Sequence, residues 1–222
     1  MDSYRTEDEQ VEALKRWWKE NGQSTVIGIV LALGLGFGWQ AWQRNEQVTA
    51  ENASTLYQQM LQALATQDER GADAGRALAL QLKDEYRGTA YAQFASLHLA
   101  RLAVLEGQEP EAEKELRWVL SMADAGSELH QVAQLRLARV LAAQGQADSA
   151  LALLENAETD FVASYAMARG DILLGDGRED DALAAYESAV ASLDADSPIP
   201  QTLQDKLQYL TARRMGSEGG AG

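Results

Sequence analysis

The alternation of apolar and charged stretches predicts an anchor near the N-terminus. Residues 21–43 include no charged side chain and are mostly apolar. A helix that rises about 1.5 Å per residue needs roughly 20 such residues to cross a hydrocarbon core of about 30 Å. Indole rings prefer the headgroup boundary, and tryptophans lie on both sides of the apolar centre, at Trp17, Trp18, Trp39 and Trp42. The pattern therefore predicts a transmembrane helix over residues 21–43.

The end of this stretch argues against a cleavable signal peptide. Cleavage would need small residues in an A-x-A arrangement, whereas the apolar run ends in Gly38, Trp39, Gln40, Ala41 and Trp42. A helix buried in a soluble core would usually have only about 10 to 14 apolar residues. We therefore expect the transmembrane helix to be retained.

Lysine and arginine are unevenly distributed around the anchor. The flank before it contains Arg5, Lys15, Arg16 and Lys19. After it, only Arg44 precedes Arg70. Since short loops rich in these residues stay in the cytoplasm, residues 1–20 are predicted to be a cytoplasmic amphipathic flank. That flank is either a helix lying on the membrane or a simple charged segment. The larger part of the chain is then predicted to be periplasmic in a bacterial inner membrane protein.

Residues 44–215 have the pattern of a helical domain. No glycine or proline occurs between Gly38 and Gly71, so the membrane helix can continue without a break to about Gln67. Its apolar positions beyond residue 50 recur at steps of three and four, which is typical of an amphipathic helix. The fold class predicted for the chain is all-α.

The first connections in this domain are predicted from glycines and a threonine. We expect a loop over residues 68–75, which contains two glycines, and a helix over about 76–86. Gly88 fits the left-handed position that ends many helices. Thr89 is a suitable N-cap for the helix that follows.

The rest of the domain repeats. Gly107, Gly145 and Gly177 each follow an apolar helix, at separations of 38 and 32 residues. Five residues after each glycine there is an alanine, at Ala112, Ala150 and Ala182, and four residues further there is a large residue, at Leu116, Leu154 and Tyr186. Three residues further still are Val119, Ala157 and Ala189. Twelve residues before the alanines are the small residues Ala100, Ala138 and Gly170. These positions resemble the tetratricopeptide consensus, whose period is about 34 residues. The resemblance implies a solenoid of helical hairpins.

Some residues depart from that consensus, and the array needs an end. Arg169 stands where the consensus has leucine, and the usual tryptophan near the start of a repeat is absent. A last helix over about 201–215, with Leu203, Leu207 and Leu210 on one face, is predicted to cap the final repeat. Residues 216–222, rich in glycine, are predicted to be a disordered tail.

Charge and composition narrow the choice of function. The formal net charge is −15, most of it after the anchor, so nucleic acid is not an expected partner. The chain has no cysteine and two histidines, His98 and His130. A histidine-centred triad or a zinc site would lack partners, and no glycine-rich loop follows a strand as a nucleotide site requires. We therefore predict no enzyme activity and no cofactor or metal site.

A binding function agrees better with the repeats. In tetratricopeptide arrays the first helix of each repeat lines an inner groove, which can accept a segment of another chain. The expected groove contacts are Phe94, Leu97, Arg101, Val104, Val132, Leu135, Arg139 and Met167, with Leu105 and Leu174 beside them. Alternatively, the C-terminal helix or the helix after the anchor fills this groove.

Several segments together resemble one bacterial family, YfgM. They are the lysine-containing start, the single membrane span, and the stretches GTAYA at 88–92, ASLHLA at 95–100, LRLARV at 135–140 and RGD at 169–171. The resemblance implies an ancillary subunit of the SecYEG translocon. It also implies association with a periplasmic isomerase-like chaperone and with translocating polypeptides. The alternatives are a membrane-anchored tether for another envelope assembly and, more distantly, an envelope enzyme.

Overall fold

A computed structural model describes residues 7–66, 68–157, 159–193 and 197–219. Within these ranges the regular structure is helical, which confirms the all-α prediction. The helices are α1 Glu7–Ala65, α2 Glu69–Glu85, α3 Ala90–Leu105, α4 Glu109–Met122, α5 Glu128–Ala143, α6 Ala147–Leu153, α7 Val162–Gly175, α8 Glu179–Ala191 and α9 Gln201–Gly219, with a 3₁₀ turn at Thr159–Phe161 before α7. Residues 1–6 of the predicted flank and 220–222 of the predicted tail lie outside the described ranges.

The chain divides into two compact units, residues 1–52 and 53–222. In the first unit, α1 contains a stretch long and apolar enough to cross a membrane, and none of that stretch is buried by the protein. The indoles of Trp39 and Trp42 lie 5.1 Å apart, centroid to centroid. α1 is one continuous helix from Glu7 to Ala65, as the absence of glycine and proline after Gly38 indicates.

The second unit begins with the last turns of α1 and with α2, and here the predicted loop over residues 68–75 is wrong. α2 starts at Glu69, and the Asp68 side chain caps it by accepting a hydrogen bond from the Gly71 amide at 2.6 Å. A Cβ atom on Gly75 would lie 2.3 Å from Cδ2 of Leu64. The glycines therefore let α2 pack closely on the end of α1 and do not interrupt the helix.

The turn between α2 and α3 also differs from its prediction in one respect. Gly88 does not have the positive φ of a left-handed cap. α2 ends instead with the Tyr86 amide bonded to the Leu82 carbonyl. Thr89 is the N-cap of α3, as predicted, and its hydroxyl accepts a hydrogen bond from the Ala92 amide at 3.4 Å.

The three turn glycines of the repeats adopt the same cap geometry. Gly107, Gly145 and Gly177 have φ of 68°, 76° and 79°. At the first, the Gln108 amide bonds to the Ala103 carbonyl at 2.8 Å, closing the helix end as a Schellman motif does. The equivalent bonds at the other two turns are 2.9 Å long. Only glycine takes this conformation without strain, so these turns confirm the predicted repeat.

Small and large residues alternate in the core as the repeat pattern predicts. Ala112, Ala150 and Ala182 are fully buried. In the last repeat the large residue is Tyr186, and a Cβ on Gly170 would lie 2.4 Å from its ring. The larger side chain therefore needs glycine where Ala100 and Ala138 stand in the earlier repeats.

Three apolar clusters form the core of the second unit. The first joins the end of α1 with α2 and α3, the second extends from α3 to α7, and the third joins α7 to α9. α9 covers the last repeat through the fully buried Leu203 and the nearly buried Leu210, as the cap prediction requires. α9 ends at Gly219, four residues later than the predicted Met215, so residues 216–219 of the predicted tail are helical.

The second repeat is shorter than the others. α6 has 7 residues, whereas α4 has 14 and α8 has 13. The helix ends at Leu153, so Ala157, one of the repeat positions, lies beyond it. The separation of 32 residues between Gly145 and Gly177, against 38 for the previous pair, leaves less chain for this helix.

Candidate functional site

An apolar opening in the repeat domain lies between α3 and α5, the first helices of two neighbouring repeats. It is a cavity of about 380 Å³. Its lining consists of Leu97, Ala100, Arg101, Val104 and Leu105 from α3, Glu109 and Leu116 from α4, and Arg136, Arg139, Val140 and Ala143 from α5. We call this surface the α3–α5 groove. Its volume is within the range typical of sites that bind small groups or side chains.

Side chains of the hydrophobic core form the floor of the groove. Leu116 and Leu97 are 1% and 8% exposed, and Val140 is also buried. The side of the groove is different, because Val104 and Leu105 are 47% and 71% exposed. Large apolar side chains that remain this exposed beside an apolar cavity are typical of a binding surface.

A second cavity of about 380 Å³ adjoins the α3–α5 groove. Leu64, Asp68, Glu69, Ala72, His98, Arg101, Leu102 and Leu105 line it. Arg101 and Leu105 belong to both cavities. The two openings therefore form one extended surface that reaches from the end of α1 to α5.

Three arginines surround the α3–α5 groove: Arg101, Arg136 and Arg139. Within the ranges that the structure describes, no carboxylate makes an ion pair with any of them. Desolvation by its neighbours lowers the pKa of Arg136, and the positive charges of Arg139 and Arg101 lower it further. Glu109 is the one carboxylate in the lining, so the groove has a formal excess of two positive charges.

His98 lies at the edge of these arginines. Its Nε2 atom is 3.4 Å from the Tyr57 hydroxyl, and the two rings are 6.1 Å apart. Partial burial lowers the pKa of His98, and the charges of Arg101 and Arg136 lower it further. The imidazole is therefore held in its neutral form, which suits its place in the contact between α1 and α3.

The eight predicted groove contacts are divided between the groove and the core. Leu97, Arg101, Val104 and Arg139 line the α3–α5 groove. Phe94 lies outside the groove, with its ring 6.0 Å from the Tyr57 ring of α1, and remains 37% exposed. Val132 and Leu135 pack against the central core cluster, and Met167 against the C-terminal one.

Of the two neighbouring positions, Leu105 lines the groove and Leu174 packs on the C-terminal cluster. Sequence reasoning missed Arg136, although its spacing was informative. Arg136 and Arg139 are three residues apart on one helix and so share a face. It also missed Glu109, which reaches the cavity from the first turn of α4.

Comparisons with known proteins agree with this architecture. A family model described as a tetratricopeptide repeat-like domain matches residues 15–212. The chain is 32% identical over 213 residues to a protein of Escherichia coli K12 named "Ancillary SecYEG translocon subunit", with 95% of this chain and 100% of that protein covered. Proteins of the same name from Haemophilus influenzae and Aggregatibacter actinomycetemcomitans are 32% and 31% identical, covering 86% and 84% of this chain and 92% and 90% of their own lengths.

Proposed function

The chain belongs to the family of ancillary SecYEG translocon subunits, which have a tetratricopeptide repeat-like domain, and from this membership we propose that it is a scaffold subunit beside the SecYEG channel. The observation that carries the proposal is the extent of the similarity to the E. coli protein. It covers 95% of this chain and all of that relative, so both the apolar helix and the repeats have counterparts. The role consists of protein contacts and requires no catalysis.

We further propose how the chain lies in the bacterial inner membrane. Residues 1–20 are cytoplasmic, residues 21–43 cross the membrane, and residues 44–215 are a periplasmic repeat domain that precedes the tail at 216–222. The excess of lysine and arginine before the apolar stretch supports this orientation. The acidic charge of the repeat domain is compatible with it, because acidic residues contribute little to topology.

In this role the repeat domain links translocated proteins to periplasmic chaperones. The α3–α5 groove would hold a segment of a translocating polypeptide or of an isomerase-like chaperone. Its exposed Val104 and Leu105 and its apolar floor support such a use. Segments of partner chains commonly bind apolar grooves between helices.

Co-purification tests the scaffold role. The full chain, produced at its natural level, would be purified from membranes in mild detergent and its bound proteins identified by mass spectrometry. We expect SecYEG subunits and a periplasmic chaperone. We also expect the SecYEG subunits to be lost when residues 1–43 are replaced by an unrelated anchor. Enrichment of another envelope assembly in place of SecYEG would contradict the proposal and favour a tether for that assembly.

Thiol labelling tests the orientation. Because the chain has no cysteine, a single substitution gives an unambiguous signal. Ser188→Cys, on an exposed position of α8, should react with a membrane-impermeant maleimide in intact spheroplasts. Ser3→Cys should react only after the membrane is opened. The reverse pattern would show that the repeat domain is cytoplasmic.

A further inference from the structure

The arginines of the α3–α5 groove differ from seven other cations of this domain that have carboxylate partners. Arg76 pairs with Glu106, Lys83 with Glu115, Lys114 with Glu111, Arg117 with Glu113, Arg178 with Asp181, Lys206 with Asp171 and Arg213 with Glu179. Arg101, Arg136 and Arg139 make no such pair within the described ranges. A chain with a net charge of −15 has many carboxylates available. Among the described residues, none of these carboxylates pairs with the three arginines of this groove, although Asp171 and Asp176 line a neighbouring cavity with Arg139.

This arrangement is costly unless an anion completes it. Arg136 and Arg139 are neighbours on one face of α5, where like charges repel. The side chain of Arg136 is exposed to solvent, and desolvation by its neighbours together with the charges of Arg139 and Arg101 lowers its pKa. A carboxylate would relieve both effects, since a guanidinium can donate two parallel hydrogen bonds to it.

The apolar part of the surface defines the rest of the occupant. The cavity floor is formed by Leu97, Leu116 and Val140, and the exposed Val104 and Leu105 border it. An anion alone would leave these side chains in water. The occupant therefore needs apolar groups next to its negative charge.

The extent of the surface favours a polypeptide over a lipid. The adjoining cavity continues the groove past Arg101 and adds the carboxylates of Asp68 and Glu69. A segment of chain can present groups of both signs along such a surface, together with backbone amides.

We propose that the α3–α5 groove binds a polypeptide segment in which acidic side chains alternate with apolar ones, the carboxylates lying on Arg101, Arg136 and Arg139. This inference rests on the proposed scaffold function and specifies which segments of a partner chain the scaffold selects. Selection is by charge as well as by hydrophobicity. Segments that are apolar but basic are rejected by the arginines.

Peptide binding tests the selection directly. The full chain would be placed in nanodiscs of phosphatidylcholine and titrated by calorimetry with a set of short blocked peptides that contain leucine and glutamate in different orders. We expect some members of the set to bind. Replacing glutamate by glutamine should weaken binding by about tenfold, which matches the ~1.4 kcal/mol of one hydrogen bond to a charged group. Replacing glutamate by lysine should abolish it.

Variants locate the site. Arg101→Gln combined with Arg139→Gln should lower the affinity for the glutamate peptide by tenfold or more. The affinity for the glutamine peptide should not change. The matched control is Arg117→Gln, which removes the same charge from an exposed position of α4 paired with Glu113 and should leave peptide affinity unchanged. The melting temperature of each variant confirms that it is folded.

Several results would overturn the inference. The first is failure of every glutamate peptide to bind, and the second is equal affinity for the glutamate and glutamine peptides. The third is a loss of affinity in the Arg117→Gln control equal to that in the double variant. Displacement of the peptide when phosphatidylglycerol replaces phosphatidylcholine, through the same arginines, would show that a lipid is the occupant. The peptide comparisons use the unmodified protein and do not depend on any variant folding. Because they need no translocon, they can fail while SecYEG co-purifies, or succeed when it does not.

Discussion

Two clusters of cations in the repeat domain both lie beside aromatic or apolar side chains. They differ in whether a carboxylate pairs with a cation of the cluster. On one side, the Lys83 ammonium is 2.7 Å and 2.6 Å from the two carboxylate oxygens of Glu115 and lies 5.0 Å from the centre of the Trp118 ring. Arg87 lies near the same ring at 5.9 Å. On the other side, Arg101, Arg136 and Arg139 surround the α3–α5 groove, and no carboxylate in the described part of the chain forms an ion pair with them.

This difference distinguishes charged residues that stabilise the fold from charged residues that are available to bind a partner. Glu115 is 8% exposed and connects α4 to α2, so its pair with Lys83 is part of the packing between them. Removing one partner of a buried pair leaves an uncompensated charge. The groove arginines already lack a partner, so removing one of them should not destabilise the fold. Substitutions in the two clusters should therefore have opposite consequences.

The largest effect should come from Glu115→Ala. This change leaves the Lys83 charge buried without its carboxylate and should lower the free energy of unfolding by about 3 kcal/mol. Chemical denaturation of the full chain, followed by circular dichroism, measures it. The paired variant Lys83→Met with Glu115→Leu should recover most of the loss, because an apolar pair of similar size often replaces a buried ion pair without cost. A loss below about 1 kcal/mol for the single change would place this pair with the weak surface pairs.

A smaller loss should follow from Asp171→Ala. Asp171 accepts a hydrogen bond from the Tyr186 hydroxyl at 2.7 Å and pairs with Lys206, so it connects α7 to α8 and α9. Its side chain is 36% exposed, and solvent weakens the pair, so we expect a loss of about 1 kcal/mol. The control is Glu187→Ala, an exposed carboxylate beyond the first turn of α8, which should have little effect in the same denaturation experiment. Equal losses would show that the contacts of Asp171 contribute nothing specific.

Arg136→Gln should leave stability unchanged or raise it by up to about 0.5 kcal/mol, because it removes an exposed charge that is repelled by Arg139. Arg117→Gln, which removes an i,i+4 pair with Glu113, should lower stability by up to about 0.5 kcal/mol. The measurement is the free energy of unfolding of the two variants, and we expect Arg136→Gln to be the more stable one. A clear loss for Arg136→Gln would show that it has a structural partner.

The smallest effect should be the contribution of His98 to pH dependence. Its pKa is lowered in the folded protein, so the folded state disfavours the charged ring. The stability that this residue contributes is present above pH 6.5, the ordinary value for histidine, and is lost as the pH falls through the lowered pKa. Tyr57, Arg101 and Arg136 are charged or titratable groups near it, and the carboxylates of Asp68 and Glu69 line the same cavity. Melting temperatures between pH 7 and pH 5 should fall more for the parent than for His98→Gln; parallel curves would contradict this.

Sequence reasoning was most accurate where a structural feature depends on the properties of a single residue type. Gly107, Gly145 and Gly177 end their helices because only glycine accepts the left-handed conformation cheaply, and this requirement is visible in the sequence. Gly71 and Gly75 have the opposite role inside a helix contact, since Gly71 makes room for Thr66 and the Ala63 carbonyl and Gly75 makes room for Leu64. Nothing local distinguishes a glycine that ends a helix from one that permits close packing, so the start of α2 was predicted wrongly.

The groove shows a similar limit. Repeat register placed Leu97, Arg101, Val104 and Arg139 on one surface, where the structure has them. Phe94 was expected there too, but it packs on Tyr57 from a helix far away in the sequence. This contact depends on how α1 packs on α3, which the repeat pattern does not contain. The unpaired state of the arginines likewise emerges only when every neighbouring carboxylate has been placed.

The shortness of α6 has a consequence for how the array folds. In a linear array each repeat is stabilised mainly by its neighbours, and opening begins where the coupling is weakest. α6 has 7 residues, and one of its side chains, Leu151, packs against both the central and the C-terminal apolar clusters. Few backbone amides are therefore protected at the point where these clusters meet. Hydrogen exchange should divide the domain there into two cooperative units, α2–α5 exchanging separately from α7–α9.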